Sequence, residues 1–281
     1  MKNKFYITIT ILASSMLYVC SQWNNKDSSQ WDNNDSSQWD NNDKSISEKQ
    51  QIIQYLTAQI KTVEPILTIN DDPNWNETVQ NYNISAHNQL FSYIEDTQNI
   101  SYNFSKKARR EVYLALEYKK EYIESLGKIF DKIIRPFGLA IDNQRKALIE
   151  NALKEIRAYG KNYYIEIFKL LSAKKDNLDS LSTDKLAILK TKLDAIMQIK
   201  ENISQTVKEL HTDYNTDKEV VIPPRKYWEQ GVNKKLKSVA DSDDLFKYIK
   251  AKTKNLKSQA KAINNSVSDI QNILKLSEDT I

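Results

Sequence analysis

From Ile52 onward, apolar side chains return every third or fourth residue through most of the chain, the repeat of an amphipathic α-helix. Ile52, Ile53, Leu56, Ile60 and Val63 predict one face of a first helix, which should stop before Pro65 because proline lacks the amide donor and crowds the preceding turn. An Asn-rich stretch holding Pro73 follows, and then a shorter helix near Ser85–Thr97 with Leu90, Phe91 and Ile94 inward. Ser105 is placed to cap a long helix whose inner stripe is Val112, Leu116, Ile123, Leu126, Ile129, Phe130 and Ile133, ended by Arg135-Pro136 and Gly138. A further helix is expected over roughly Leu139–Leu171. Another begins near Thr183 and carries Leu186, Leu189, Leu193, Ile196, Ile203, Val207 and Leu210 inward. After the break at Val220–Lys226, a last helix opens at Asp241 or Ser242, with Leu245, Ile249, Leu256, Ala260, Ile263, Val267, Ile270 and Leu274 on its inner face. From Leu256 those steps alternate four and three, a heptad seam that packs either on the parent bundle or on a second copy of the chain.

The pattern ahead of Ile52 is different. Lys2 and Lys4 precede an apolar run from Phe5 to Val19, the charged and apolar regions of an export signal, too short to be a membrane-spanning helix. The run stops at Cys20, the one cysteine in the sequence, so no internal disulfide and no cysteine-based zinc site can form. A lone cysteine at this point resembles the lipobox of bacterial lipoproteins, in which it is acylated and becomes the first residue of the mature protein. Val19 stands where Gly, Ala or Ser is usual, a looseness known in spirochaetes. The alternative is a cleaved secretory signal with an incidental thiol. Residues 21–44 contain no aliphatic side chain and write one octet three times, SQWNNKDS, SQWDNNDS and SQWDNNDK. Such a segment cannot bury enough apolar area to offset its ordering entropy and is expected to be a disordered tether. As a flexible chain it would span about 25 to 30 Å. Trp23, Trp31 and Trp39 share one face if the segment is extended, which suits docking at a lipid headgroup layer; a polar spacer enlarged by tandem duplication is the other reading. The organisation expected is therefore a lipoprotein signal peptide over 1–19, an acylated Cys20 with its tether over 20–44, and a folded domain over 45–281.

Composition narrows the fold class. The chain has 4 Gly and 5 Pro in 281 residues, too few for the turns of a sheet-rich protein, and this poverty with the long 3.6-residue periodicity predicts an all-α bundle of roughly five to seven helices with a long C-terminal helix. Charge excludes one function class. The net charge of +4 includes Lys2 and Lys4, and without them 39 basic residues face 37 acidic ones, so there is no global electrostatic case for nucleic acid. Candidate chemistry is sparse: His87 and His211 stand far apart with no metal-ligand spacing, no phosphate-loop or nucleophile motif occurs, and Asp71-Asp72 and Asp243-Asp244 sit where they cap or solvate helix ends. No catalytic residue, metal or cofactor is expected.

Two basic clusters remain. Lys106, Lys107, Arg109 and Arg110 gather at the start of one helix, and Lys250, Lys254, Lys257 and Lys261, with Lys247 and Lys252 among them, stud the last. They read either as solvated helix faces or as contacts for a heparin-like polyanion or an acidic partner.

The stretch Val112–Ile133, VYLALEYKKEYIESLGKIFDKI, resembles a segment of the plasmid-encoded paralogous outer surface lipoproteins of Borrelia, the Lyme disease spirochaetes, a family that includes complement-regulator-acquiring proteins. The matching features are Leu116, Tyr118, Lys119, Lys120 and Glu121, followed by Ile123, Glu124 and Leu126. The relaxed lipobox, the polar tether and the helical remainder agree with it. The resemblance implies a helical bundle, lipid-anchored at the cell surface in the bacterial outer membrane and acting at the interface with tick or mammalian host. It implies two further roles to choose between: binding of a host protein, such as a complement regulator of the factor H type, plasminogen or a terminal complement protein, in the service of immune evasion; or a passive surface coat and antigen with no single ligand. The partners expected are the lipid bilayer through Cys20, a host protein, and no nucleic acid, with the chain a monomer and a homodimer the alternative.

Overall fold

The computed structural model describes residues 47–84, 89–96, 98–135, 142–222, 224 and 230–275. The signal, Cys20, the Trp octets and His87 lie outside the described residues.

Ser47 begins the first helix, α1 (Glu48–Asp71), with a capping box in which its hydroxyl accepts from the Gln50 amide while the Gln50 side chain accepts from the Ser47 amide at 3.2 Å. Ile52, Leu56, Ile60, Val63 and Leu67 are buried along one face. The helix does not stop at Pro65; it continues to Asp71. The missing donor is outweighed by burial on both sides of the proline, Val63 before it and Leu67 after it, each worth about 1.5 to 3 kcal/mol.

A long irregular connection follows. It contains a single helical turn, α2 (Glu77–Gln80), a 3₁₀ turn at Leu90–Ser92, and an isolated bridge between Glu95 and Ser101. The helix expected near Ser85–Thr97 is absent from its described part, although Leu90, Phe91 and Ile94 are buried as the pattern required. Asp96 competes with helix formation here: its carboxylate accepts from the amides of Gln98 and Ile100 and from the Ser105 hydroxyl, closing a turn.

Ser105 caps α3 (Lys106–Ala115), as expected, but the long helix predicted from it is two. The chain breaks at Leu116–Lys119 and resumes as α4 (Lys120–Ile134), with Glu117 and Tyr118 both at positive φ, 55° and 56°. No Gly or Pro marks this elbow. It is held by tertiary contacts: the Tyr118 hydroxyl donates to Asn70 at 3.0 Å, and its ring meets the Trp75 indole edge-on at 5.4 Å.

Asp142 caps α5 (Asn143–Gly160) through the amides of Gln144 and Arg145; Leu139, the opening expected from the sequence, lies outside the described residues. It runs on without a break into a π-helical stretch, Lys161–Lys169, and a last turn, α6 (Leu170–Ala173). Gly160 sits at the junction because α3 crosses there: a Cβ on it would lie 2.7 Å from the Ala115 Cβ and 2.9 Å from the Ala115 Cα. Gly160→Ala should therefore cost about 1 kcal/mol net, overpacking exceeding the better helix propensity of alanine; a lowered thermal midpoint measures it.

The longest helix, α7 (Thr183–Asn215), starts from the Ser182 cap and buries Leu186, Leu189, Leu193, Ile196, Ile203 and Leu210, as read from the sequence. The break after it contains a two-stranded antiparallel ribbon, β1 (Glu219–Ile222) and β2 (Val232–Lys235), with Glu219 opposite Lys235 and Ile222 opposite Val232. Asp241 then caps α8 (Ser242–Lys252), and the final helix restarts as α9 (Leu256–Lys275). The heptad seam buries Ala260, Ile263, Ile270 and Leu274 within the chain, against α5, the π stretch and α7. The fold is thus an all-α bundle with one short ribbon. Among the described residues no helix is long and apolar enough to cross a membrane.

Candidate functional site, a basic cleft beside an exposed aromatic loop

The first half of α3 carries four basic residues among its first five, and the fold uses them in two ways. Arg109 and Arg110 are half-buried and bonded inside the chain. The Arg109 Nε donates to Glu77 at 2.9 Å, its Nη2 lies 2.9 Å from the same carboxylate, and its Nη1 donates to the carbonyls of Tyr102 and Asn103 at 2.7 and 2.6 Å. Arg110 donates from Nη2 to the carbonyls of Ile69, Asn70 and Asp72, covering the C-terminal end of α1, while its guanidinium lies 4.9 Å from the Trp75 ring centroid. Lys106 and Lys107 are exposed and make no ion pair with any described residue.

These lysines do not stand alone. Across from α3, the π stretch brings Lys161 and Lys169 to the same concavity, a cleft of about 560 Å³ whose floor includes Leu114 and Ile165 and whose far rim is Asn70. Lys161 pairs with Glu166 at 3.3 Å and Lys169 with Asp71 at 2.8 Å, each lysine side chain remaining about half exposed. Glu111, the acidic residue of the lining, is paired with Arg157 at 2.7 Å. Sequence spacing had no means of joining Lys161 and Lys169 to the α3 cluster.

The second basic group stays apart. Lys250, Lys254, Lys257 and Lys261 are all exposed, without an ion pair to a described residue, and none lines this cleft. Their neighbours Lys247 and Lys252 are paired with Asp243 at 3.1 Å and Glu209 at 2.6 Å.

A second cleft, of about 230 Å³, lies at the elbow between α3 and α4, where Glu117 faces Lys119, Tyr122 and Lys200. Burial alone would raise the Glu117 carboxyl, but bonds from Lys119 and Lys200, each at 2.6 Å, outweigh it and hold the pKa at about 2. His211 is structural: its Nδ1 lies 2.9 Å from the Ser125 hydroxyl and 3.0 Å from the Asn215 amide, with Tyr122 edge-on to the ring. Among the described residues no group of His, Cys, Asp and Glu is arranged to hold a metal ion.

Beside the basic cleft, the loop that leads into α3 exposes Phe104, with 84% of its surface in solvent, and Ile100 with 42%. The sequence held a signal for this. An apolar residue just before a helix cap usually packs on the fourth helical residue, and here that residue is Arg109, already bonded to Glu77 and unable to cover a phenyl ring.

Residues 71–275 match the family model described as Borrelia Bbcrasp-1 domain containing protein. The chain belongs to this family. The Bbcrasp-1 domain thus takes in every described helix from α2 to α9, and the segment Val112–Ile133 that carried the resemblance lies inside it. Solved structures of Borrelia burgdorferi outer surface proteins share the fold. The outer surface protein BBA66 is 16% identical with a TM-score of 0.58, over 80% of this chain and 100% of that one. A C-terminal proteolytic fragment of an outer surface protein is 13% identical at 0.55, over the same shares. The outer surface lipoprotein BBA64 is 18% identical at 0.51, covering 80% of this chain and 94% of that one. No curated protein matches.

Proposed function

We propose that this Bbcrasp-1 domain protein is an outer surface lipoprotein, held in the outer membrane through acylated Cys20, that binds a host protein at the tick or mammalian interface. The observation that carries the reading is Phe104. The phenyl ring is 84% exposed on the same loop as the 42%-exposed Ile100, and hydrogen bonds hold that loop in place. The Asp96 carboxylate gathers two amides and the Ser105 hydroxyl, and Arg109 ties down the carbonyls of Tyr102 and Asn103. A rigid aromatic loses little entropy on binding and is the usual centre of an interface. With Lys106 and Lys107 two and three residues on, the complementary partner surface is an apolar pocket rimmed by carboxylates.

The test is capture of proteins from host plasma and from tick gut by the soluble chain 45–281, in parallel with Phe104→Ser. The expected result is a reproducible partner whose affinity for the variant falls about tenfold or more, equal to about 1.4 kcal/mol. Equal capture by both forms would remove Phe104 from the interface, and no capture from either fluid would favour the passive coat.

A further inference from the structure

We propose that the basic cleft is a second binding site, for a sulfated glycan. Five cationic side chains converge on it from two elements distant in sequence: Lys106, Lys107 and Arg110 on α3, Lys161 and Lys169 on the π stretch. Lys161 and Lys169 are paired with Glu166 and Asp71, and the charge of the other three is uncompensated. Lys106 and Lys107 have no carboxylate partner among the described residues, and the Arg110 guanidinium is bonded to neutral carbonyls. Placing like charges together is unfavourable in the free protein, and an anion in the cleft relieves it.

The ligand class follows from what the walls can offer. Both are helical and present no strand edge for an extended acidic peptide. Recognition falls to several point-charge ammonium groups and the Asn70 amide, which suits a ligand carrying several strong anions on a short length. A sulfated sugar does so, and the aliphatic floor of Leu114 and Ile165 can receive the C–H face of a pyranose ring. The cleft volume, about 560 Å³, accepts a saccharide unit and not a nucleic-acid duplex. The π geometry adds to the case. Nine residues in a π-helix are rare, such segments concentrate at functional sites, and this one sets Lys161, Ile165 and Lys169 along one wall.

The cleft shares Lys106 and Lys107 with the Phe104 surface but does not include Phe104 itself, and the experiment keeps the two readings apart. The full chain in detergent is bound to immobilised heparin-derived oligosaccharide at roughly physiological salt. Three variants are compared: Lys106→Gln/Lys107→Gln/Lys161→Gln, the matched Lys250→Gln/Lys254→Gln/Lys257→Gln, and Phe104→Ser. The cleft triple should bind about tenfold or more weakly and show a shallower dependence on salt; the other two should stay within about twofold of the parent. A measurement on the unaltered protein guards against misfolding: the glycan should protect Lys106, Lys107 and Lys161 from amine acetylation while Lys250, Lys254 and Lys257 react as before. The proposal is overturned by equal losses in the two triples, by equal binding of the desulfated oligosaccharide or of polyglutamate, by absence of selective protection, or by no binding at that salt.

Discussion

Arg109→Ala should destabilise the helical domain by about 3 kcal/mol, the largest single loss expected from a charged residue in this protein. Arg109 ties together three pieces of chain. Its Nε and Nη2 hold the Glu77 carboxylate on the one-turn helix α2, and its Nη1 holds two carbonyls of the loop that presents Phe104. The two side chains are only 13% and 14% exposed, so neither charge recovers full hydration when the other is removed. Glu77 would keep one donor, the Tyr113 hydroxyl at 2.5 Å, beneath an unneutralised charge. Tyr113 reports the same environment: burial first, and then the bond to Glu77, push its pKa well up. Arg109→Lys keeps the charge but not the fork that reaches a carboxylate and two carbonyls at once, and should recover less than half of the loss. Urea denaturation measures both as a lowered midpoint at unchanged slope. Because the loop depends on this residue, Arg109→Ala should also weaken host-protein capture, whereas Phe104→Ser weakens capture at unaltered stability.

The elements whose pattern and caps agree were legible in the sequence. Ser182 with Leu186, Leu189, Leu193 and Ile196, and Asp241 ahead of Leu245 and Ile249, give helices where the spacing places them. The misreadings share a cause: a local signal overruled by packing that periodicity cannot see. Pro65 reads as a stop yet lies between two buried residues of a helix already held on the bundle. Glu117 and Tyr118 read as mid-helix yet adopt left-handed backbone because Asn70, Trp75, Tyr164 and Lys200 hold their side chains elsewhere. The ribbon at Glu219–Ile222 was hidden by the prolines that follow it. The site was half legible in the same sense. Lys106 and Lys107 stood out as charge, but what makes a concavity of them is the π stretch, and nothing at the level of single residues marks where a helix widens. Arg109 and Arg110 showed the converse, standing out as partner contacts while the fold uses them as internal fasteners.

Glu117→Gln should lower stability by about 2 kcal/mol at neutral pH, with the deficit disappearing in acid. The Glu117 carboxylate joins the elbow to two other elements: it lies 2.6 Å from Lys200 on α7 and accepts from the Tyr164 hydroxyl of the π stretch at 3.0 Å, with Lys119 at 2.6 Å closing the group. Its side chain is 15% exposed and its pKa lies at about 2, against an ordinary 4.5. A depressed carboxylate binds protons less readily in the folded state than in the unfolded one. Its contribution is therefore complete above about pH 4.5 and is lost as pH falls towards 2. The full difference corresponds to somewhat over 3 kcal/mol, and solvent screening at the cleft mouth reduces it to about 2. Glutamine keeps an acceptor for Tyr164 and removes the charge, so it isolates this electrostatic part. Urea midpoints of the parent and the variant, taken at intervals from pH 7 to pH 2, should converge across the lower half of that range. A gap that stayed constant down to pH 2 would instead assign the loss to packing around the two left-handed residues. Convergence places the charge of Glu117 among the forces that hold an elbow no glycine could have announced.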